Sequence, residues 1–291
     1  MNKQILIKNI PKISAIYYAL FKCGYDYYAI EKELPIRKMI ERFRLSHNNT
    51  NNSFFENVRQ NTCEVYPFWP RAALLETASF FIDVFKNEFT DFNLYYKKVM
   101  SATNLSDNER TNDFWKWVKE FPCALKSVLD SNDFQEYLSW ENVWIAKQSI
   151  KYEDELNFCN EIIEFFIDYH NTPIQKIFII LNPIKCAYSA DYHLQDKSLF
   201  FISGAFNPTS VIHEFLHHIV HPIVVMHQCE ILKCSLANID VDKSYFLVGD
   251  DSGNLNAFEE HMVRSLTRAV LAGERPIDLN LYLFAILSSI K

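Results

Sequence analysis

The chain has 291 residues, of which 49% are hydrophobic and 22% are charged, so it can bury a sizeable core and is not an intrinsically disordered protein. Its formal net charge of −7 leaves no excess of Lys and Arg to bind a phosphate backbone, and we expect no nucleic-acid partner. Only 5 glycines against 24 phenylalanines exclude a glycine-rich phosphate-binding loop and argue against a β-sandwich or β-barrel.

We do not expect the start of the chain to act as a secretory signal peptide. Its apolar stretches are interrupted by Lys8, Pro11, Lys12 and Lys22, so no signal-peptide core develops. No apolar run approaches the roughly 18 residues that span a bilayer. The seven cysteines include no Cys-x-x-Cys pair and are typical of reduced thiols. We therefore expect a cytoplasmic protein with no membrane partner.

Residues 1–172 are expected to form a mainly helical N-terminal region. Apolar residues recur at helical spacing from Ser14 to about His170. Helix starts are predicted at Pro35, which suits a first helical turn, and at Ser53 and Asp113, which are favourable capping residues.

Residues 173–291 are expected to form a second region, in which strands precede helices. The runs KIFIILNP (176–183) and SLFFISG (198–204) predict strands, because they are rich in β-branched and aromatic residues. The segment between them allows a third strand and a hairpin, with the polar HLQDK (193–197) as the separator. The fold class is therefore α+β, mainly helical, with a small mixed or antiparallel sheet.

Three helices are predicted after the strands. The first begins at Asn207-Pro208 and ends at His221-Pro222, because proline is tolerated in the first helical turn but not in the interior. The second extends from about Leu255 to Leu271, after a loop-like DDSG segment. The third extends from Leu279 to Ile290.

The most informative segment is HEFLH, residues 213–217, an H-E-x-x-H motif inside the first of these helices. Residues four positions apart share one face of a helix, so His213 and His217 can bind one Zn²⁺ ion. Glu214 then directs its carboxylate at the metal-bound water, whose pKa zinc lowers to about 7. This pattern predicts a zinc-dependent metallopeptidase that hydrolyses peptide or amide bonds in a peptide or protein substrate, with Glu214 as general base.

The residues leave two candidates for the third metal ligand. The metzincin pattern H-E-x-x-H-x-x-G-x-x-H, in which a third histidine is the ligand, would require glycine at Val220 and histidine at Ile223, so the metzincin class is excluded. A carboxylate on the second helix remains, where Glu259 and Glu260 are adjacent. Helical periodicity places Glu259 inside an apolar stripe and Glu260 at its margin, so burial alone favours Glu259.

The phrases HEFLHHIVHP and EHMVR resemble the zincin-type metallopeptidases with a glutamate third ligand, the gluzincins, and more closely an uncharacterised bacterial zincin-like family of unknown function. In that family an H-E-F-x-H helix is followed by a glutamate and, four positions later, an arginine. The resemblance implies a zincin-like fold over residues 173–291, Glu260 as third ligand and Arg264 as the family's arginine. The phrase GYDYY (24–28) is also similar to that family's helical N-terminal region. The chain departs from better-known gluzincins at residues 262–264, where their small-residue pattern is absent.

The resemblance also bears on the strand that precedes the metal helix. In zincins the strand corresponding to SLFFISG (198–204) is a sheet edge, whose unpaired N–H and C=O groups pair with an extended substrate. An ordinary core strand fits the same sequence equally well.

Several other polar residues are candidates for a role in hydrolysis. Tyr245, His227 or Arg264 could stabilise an oxyanion, and each also fits a structural role. His218 and His221 are expected to be solvated or to bond to the end of their helix.

Three other functions stay open. The chain could be a non-catalytic, zincin-shaped metal-binding or interaction protein. It could be a helical interaction protein in which the motif arose by chance. A di-iron carboxylate bundle would need two Glu-x-x-His pairs, of which Glu214 and His217 supply one.

Overall fold

A computed structural model describes residues 5–22, 34–45, 54, 82–89, 91, 93–94, 97, 119–120, 122–170, 172–185, 190–236, 239–242 and 251–290. The elements in chain order are β1 (Ile5–Ile7), α1 (Pro11–Lys22), α2 (Leu34–Leu45), β2 (Ile82–Asp83), β3 (Glu88–Phe89), α3 (Asn132–Lys151), α4 (Glu153–Tyr169), β4 (Lys176–Leu181), β5 (Asp191–Gln195), β6 (Ser198–Ser203), α5 (Pro208–Met226), α6 (Gln228–Ile231), α7 (Asp251–Leu271) and α8 (Leu279–Ser289). Residues 122–129 are also helical.

A four-stranded mixed sheet separates two hydrophobic cores. Its strands lie in the order β1-β4-β6-β5, with β5 antiparallel to β6 and the other pairs parallel. Successive side chains of a strand point to opposite faces. Phe178 and Phe200 therefore pack with α1 and α3, while Ile179 and Phe201 pack with α4, α5, α7 and α8. The predicted α+β class is confirmed: the chain is mainly helical and its small mixed sheet lies beside the helix that carries HEFLH.

The sheet contains one strand that the sequence did not predict and one whose bounds differ from the prediction. β1 comes from the N-terminal region and pairs with β4, with Leu6 opposite Phe178. β5 includes residues 193–195, which the sequence predicted as part of a polar separator. The β5–β6 turn has only two residues, Asp196 and Lys197, and both adopt a positive φ. This is the backbone geometry of a tight hairpin, adopted here without glycine.

Helix α5 begins where the sequence predicts and extends beyond the predicted end. The Asn207 side chain accepts hydrogen bonds from the N–H groups of Thr209 and Ser210, and Pro208 occupies the first turn. The predicted end at His221-Pro222 is wrong, because Pro222 lies inside the helix. A proline removes one helical hydrogen bond, but burial of Val224 in the core holds the following turn in place.

Helix α7 begins four residues before the predicted start. Asp251 lies in its first turn, where a carboxylate interacts favourably with the helix dipole. Residues 251–253 of the DDSG segment, which the sequence predicted as a loop, are therefore the first residues of the helix. Helix α8 agrees closely with the predicted range, and Pro35 lies in the first turn of α2, as predicted.

Some predictions fall on residues that the structure does not describe. Ser53, Asp113, the phrase GYDYY (24–28) and Tyr245 lie outside the described residues. Of the helices that are described, none is both long and apolar enough to cross a membrane.

A buried carboxylate joins the N-terminal helices to the end of β4. Glu141 of α3 is fully buried. Its Oε1 accepts hydrogen bonds from the Tyr137 hydroxyl at 2.9 Å and the Asn182 amide at 2.8 Å, and its Oε2 accepts one from Asn9 at 2.9 Å. Burial raises the pKa of Glu141, and hydrogen bonds from Ser14, Asn9 and Tyr137 offset only part of this effect, so that the resulting pKa is about 7.

We expect Glu141 to make the folded protein less stable as the pH rises from about 5 to about 8. The folded protein keeps the Glu141 proton up to a higher pH than the unfolded chain does, so raising the pH through this window favours unfolding. The shift of the pKa from 4.5 to about 7 corresponds to a loss of up to about 3 kcal/mol. Urea denaturation of the wild type and Glu141→Gln at both pH values measures it. The fall in the free energy of unfolding should be smaller in the variant, and an equal fall in both proteins would contradict the prediction.

Candidate metal centre

The candidate metal centre lies between helices α5 and α7, which pack along each other. Phe215 and Leu216 of α5 and Phe258 and Met262 of α7 are fully buried in the core below it. The polar residues of HEFLH and of the EEH segment lie at the border of this core. The apolar residues thus fix the separation and rotation of the two helices, and the polar side chains between them face each other.

Three potential ligand atoms meet at this border. The Nε2 atoms of His213 and His217 are 3.3 Å apart, and Oε2 of Glu260 lies 3.5 Å from the first and 3.3 Å from the second. A tetrahedral zinc ion with ligands at about 2.0–2.1 Å separates its ligand atoms by about 3.3 Å. The three side chains therefore fit a zinc ion. Among the described residues, this is the group of His, Cys, Asp and Glu side chains close enough to share one metal ion.

The charges at the site favour an ionised Glu260. Burial acts to raise its pKa, but hydrogen bonds with His213, His217 and Arg264 outweigh burial and hold the pKa well below its usual value. Burial acts to lower the pKa of His217, but hydrogen bonds with Glu259 and Glu260 raise it to about 9. A zinc ligand must be a neutral imidazole, so metal binding near pH 7 would displace a proton from His217.

Glu214 lies beside this group and is half-buried. Burial raises the pKa of its carboxyl, the nearby His217 and His213 act to lower it, and Glu260 acts to raise it further. The net effect is a raised pKa, as suits a carboxylate that accepts and returns a proton. Within the described ranges, no hydrogen bond or ion pair engages the Glu214 carboxyl.

Glu259, the alternative third ligand, lies on the other side of the His217 ring. Its Oε1 is 2.8 Å from Nδ1 of His217, and its Oε2 is 2.7 Å from Nδ1 of His221. It is therefore close to the site without sharing the group of ligand atoms. The prediction that His221 is solvated or bonds to the helix end missed this contact. Its spacing of four residues from His217 was the available signal, because it places both rings on one helix face.

Arg264 contacts the candidate ligand Glu260. Its Nε donates a hydrogen bond to Oε1 of Glu260 at 2.6 Å, and its guanidinium also reaches the backbone carbonyl of Asp240 at 3.4 Å. The arginine thus binds the carboxylate oxygen that does not face the two histidines. This contact suits the positioning of Glu260 better than a direct contact with substrate.

His227 lies far from the three ligand atoms. It caps the C-terminus of α5, 14 residues after His213, which corresponds to about 21 Å along a helix. Its Nε2 is 2.9 Å from Oδ1 of Asn280, and its ring packs against Phe284 of α8. The structure therefore separates His227 from the site. The other candidate, Tyr245, is not among the described residues.

The strand that precedes α5 in the chain, β6, is not the edge of the sheet. β6 lies between β4 and β5, all six of its residues are buried, and it is an ordinary core strand. β5 is the outermost strand on that side, and no described strand pairs with its outer edge. Tyr192 of β5 contacts His218 of α5, with ring centroids 5.9 Å apart, so this outer strand lies close to α5.

His218 is a neutral residue of the α5 surface that faces β5. Burial, together with the charge of the neighbouring His217, lowers the pKa of its imidazole to about 4. Its Nε2 has no hydrogen-bond partner in the part of the chain that the structure describes. It therefore contributes an uncharged polar group to the face of α5 that lies against β5.

The chain was compared with protein-family models, with curated proteins and with solved structures. None of the three comparisons gave a significant match. The zincin-like resemblance of HEFLHHIVHP and EHMVR therefore stays a prediction. The chemistry of the site is inferred from the residues themselves.

Proposed function

We propose that the protein is a zinc-dependent metallopeptidase that hydrolyses peptide or amide bonds. One observation carries this proposal: Nε2 of His213, Nε2 of His217 and Oε2 of Glu260 stand at the separations of three ligands of a tetrahedral zinc ion. Three protein ligands leave one coordination position open, which is typical of catalytic rather than structural zinc sites.

The proposed mechanism divides the chemistry between the metal and Glu214. Zinc, when bound, supplies a Lewis acid that activates water and polarises the carbonyl of the scissile bond. Glu214 accepts the proton of the attacking water and delivers it to the leaving amine. Two observations support this role: the pKa of Glu214 is raised, and its carboxyl makes no hydrogen bond to another described residue. Arg264 holds Glu260 at its second oxygen and so fixes the orientation of the ligand.

An extended peptide is the substrate class that the surroundings of the site support. β5 is the outermost described strand of the sheet and lies close to α5, and an outermost strand can bind an extended backbone through main-chain hydrogen bonds. Tyr192 and Leu194 of this strand are exposed, which leaves apolar surface for substrate side chains.

The proposal predicts near-stoichiometric zinc in the purified, untagged protein and cleavage of peptides that depends on that zinc. Zinc is measured by mass spectrometry, and cleavage by incubation with a mixed peptide library and identification of the products. Removal of zinc with a chelator should abolish cleavage, and one equivalent of zinc should restore it.

Two outcomes would count against the proposal in different ways. A protein that stays free of zinc after equilibration with excess metal would exclude the metal centre and the hydrolase together. A protein that holds zinc tightly but cleaves no peptide or amide would favour a non-catalytic metal-binding or interaction protein. In that case the metal centre would stand and the proposed reaction would fall.

A further inference from the structure

Two adjacent glutamates of α7 hold the two nitrogens of one imidazole. Glu260 Oε2 lies 3.3 Å from Nε2 of His217, and Glu259 Oε1 lies 2.8 Å from Nδ1 of the same ring. Successive residues of a helix are about 100° apart around its axis, so neighbouring carboxylates can reach opposite sides of a ring that lies between them. The His217 ring is therefore fixed at both ends by one helix.

The contact at Nδ1 selects the form of the ring that can bind a metal. A neutral imidazole carries one N–H, and the nitrogen without a hydrogen is the one that binds a metal. The Glu259 carboxylate is an acceptor at Nδ1, so it keeps the hydrogen there and leaves the lone pair on Nε2. Nε2 is the atom that faces His213 and Glu260.

Glu259 is itself held in place by a second histidine. Its Oε2 lies 2.7 Å from Nδ1 of His221, one helical turn after His217. The Glu259 side chain is only 12% exposed, whereas the His221 side chain is 62% exposed. The carboxylate is thus a nearly buried group with both oxygens engaged by α5, which restricts its rotamers and gives the contact with His217 a fixed direction.

We propose that Glu259 is a positioning residue: it orients the His217 ring so that Nε2 points at the metal, and its own carboxylate is held in place by His221. The proposal rests on the zinc site of the proposed function. It assigns different tasks to two adjacent glutamates: Glu260 binds the metal and Glu259 holds a metal ligand. Outer-shell carboxylates of this kind typically contribute about 10–100-fold to metal affinity.

The test measures the zinc dissociation constant by competition with a chromophoric chelator. Glu259→Ala should bind zinc about 10–100-fold more weakly than the wild type. Glu259→Gln should lie between the two, because its amide oxygen still accepts from Nδ1 but is a weaker acceptor than a carboxylate. Glu274→Ala, which changes an exposed glutamate just after α7, is the matched control and should bind like the wild type.

A second readout follows the His217 ring directly. In the zinc-loaded, ¹⁵N-labelled protein, the His217 Nδ1–H should give an NMR signal that exchanges slowly with water, and exchange should be faster in both Glu259 variants. Glu259→Gln also serves if Glu259→Ala fails to fold. Wild-type affinity together with an unchanged Nδ1–H signal in the folded variants would overturn the proposal. A wild type that binds no zinc would instead overturn the proposed function.

Discussion

Glu214→Gln is expected to lower kcat for peptide cleavage by about 10²–10⁴-fold, the usual contribution of a general base, and to leave one zinc ion bound per chain. Glutamine has the shape of glutamate but cannot accept the proton of the attacking water. The proposed metal ligands are His213, His217 and Glu260, so the change removes none of them. Kinetics on a cleaved peptide and zinc content, measured on the same preparation, check both halves of the prediction.

Stability is expected to change little in this variant. Within the described part of the chain, the Glu214 carboxyl has no hydrogen-bond partner that a glutamine would leave unsatisfied. Glu155→Gln, at an exposed position of α4, is the control for a carboxylate-to-amide change away from the site. Full activity in Glu214→Gln would exclude the assigned general base, and loss of zinc from it would show that Glu214 acts as a ligand or supports one.

Local patterns were sufficient to predict the start of helix α5 and the shared face of its two motif histidines. Asn207 and Pro208 are start signals that act within a single turn, and the spacing of His213 and His217 follows from helical geometry alone. The predicted end of the same helix was wrong, because the true end depends on packing. Burial of Val224 against the core keeps the turn after Pro222 helical, and no local rule contains that contact.

In the sheet, too, the sequence predicts what local patterns determine and misses what depends on distant contacts. β4 and β6 are buried on both faces and form continuous apolar runs, which the sequence reveals directly. β1 is three residues long and exists because it pairs with β4, which is about 170 residues away in the chain. Pairing over such a distance leaves no signal in a short segment, so this strand was not predicted. For the same reason the sequence left open whether β6 was an edge or a core strand.

The sequence could not decide between Glu259 and Glu260 as third ligand, because the answer depends on how helices α5 and α7 pack against each other. Both side chains are largely buried, with exposures of 12% for Glu259 and 10% for Glu260, so burial could not separate them. Which carboxylate reaches Nε2 and which reaches Nδ1 depends on the rotation of α7 against α5. The resemblance implied Glu260, and the structure brings its Oε2 to both histidines.

Glu260→Ala is expected to lose zinc almost completely, with a larger fall in affinity than the roughly 10–100-fold expected for Glu259→Ala. It removes one of the three proposed protein ligands and leaves two imidazoles, which bind a metal ion far more weakly. Added zinc should also no longer stabilise the folded state of this variant against unfolding. At a free zinc concentration of 100 times its dissociation constant, the wild type gains about 2.7 kcal/mol of stability by mass action.

Thermal unfolding with and without zinc measures this difference, because the midpoint of the wild type should rise and that of Glu260→Ala should not. The metal-free midpoints test whether the variant folds, since Arg264 loses its partner and lies in a half-exposed position where this costs little. Which of the two variants, Glu259→Ala or Glu260→Ala, loses more zinc affinity decides the ligand assignment. If Glu259→Ala lost zinc and Glu260→Ala retained it, Glu259 would be the ligand and Glu260 the orienting carboxylate, because only the residue that bonds to the metal is indispensable to its binding.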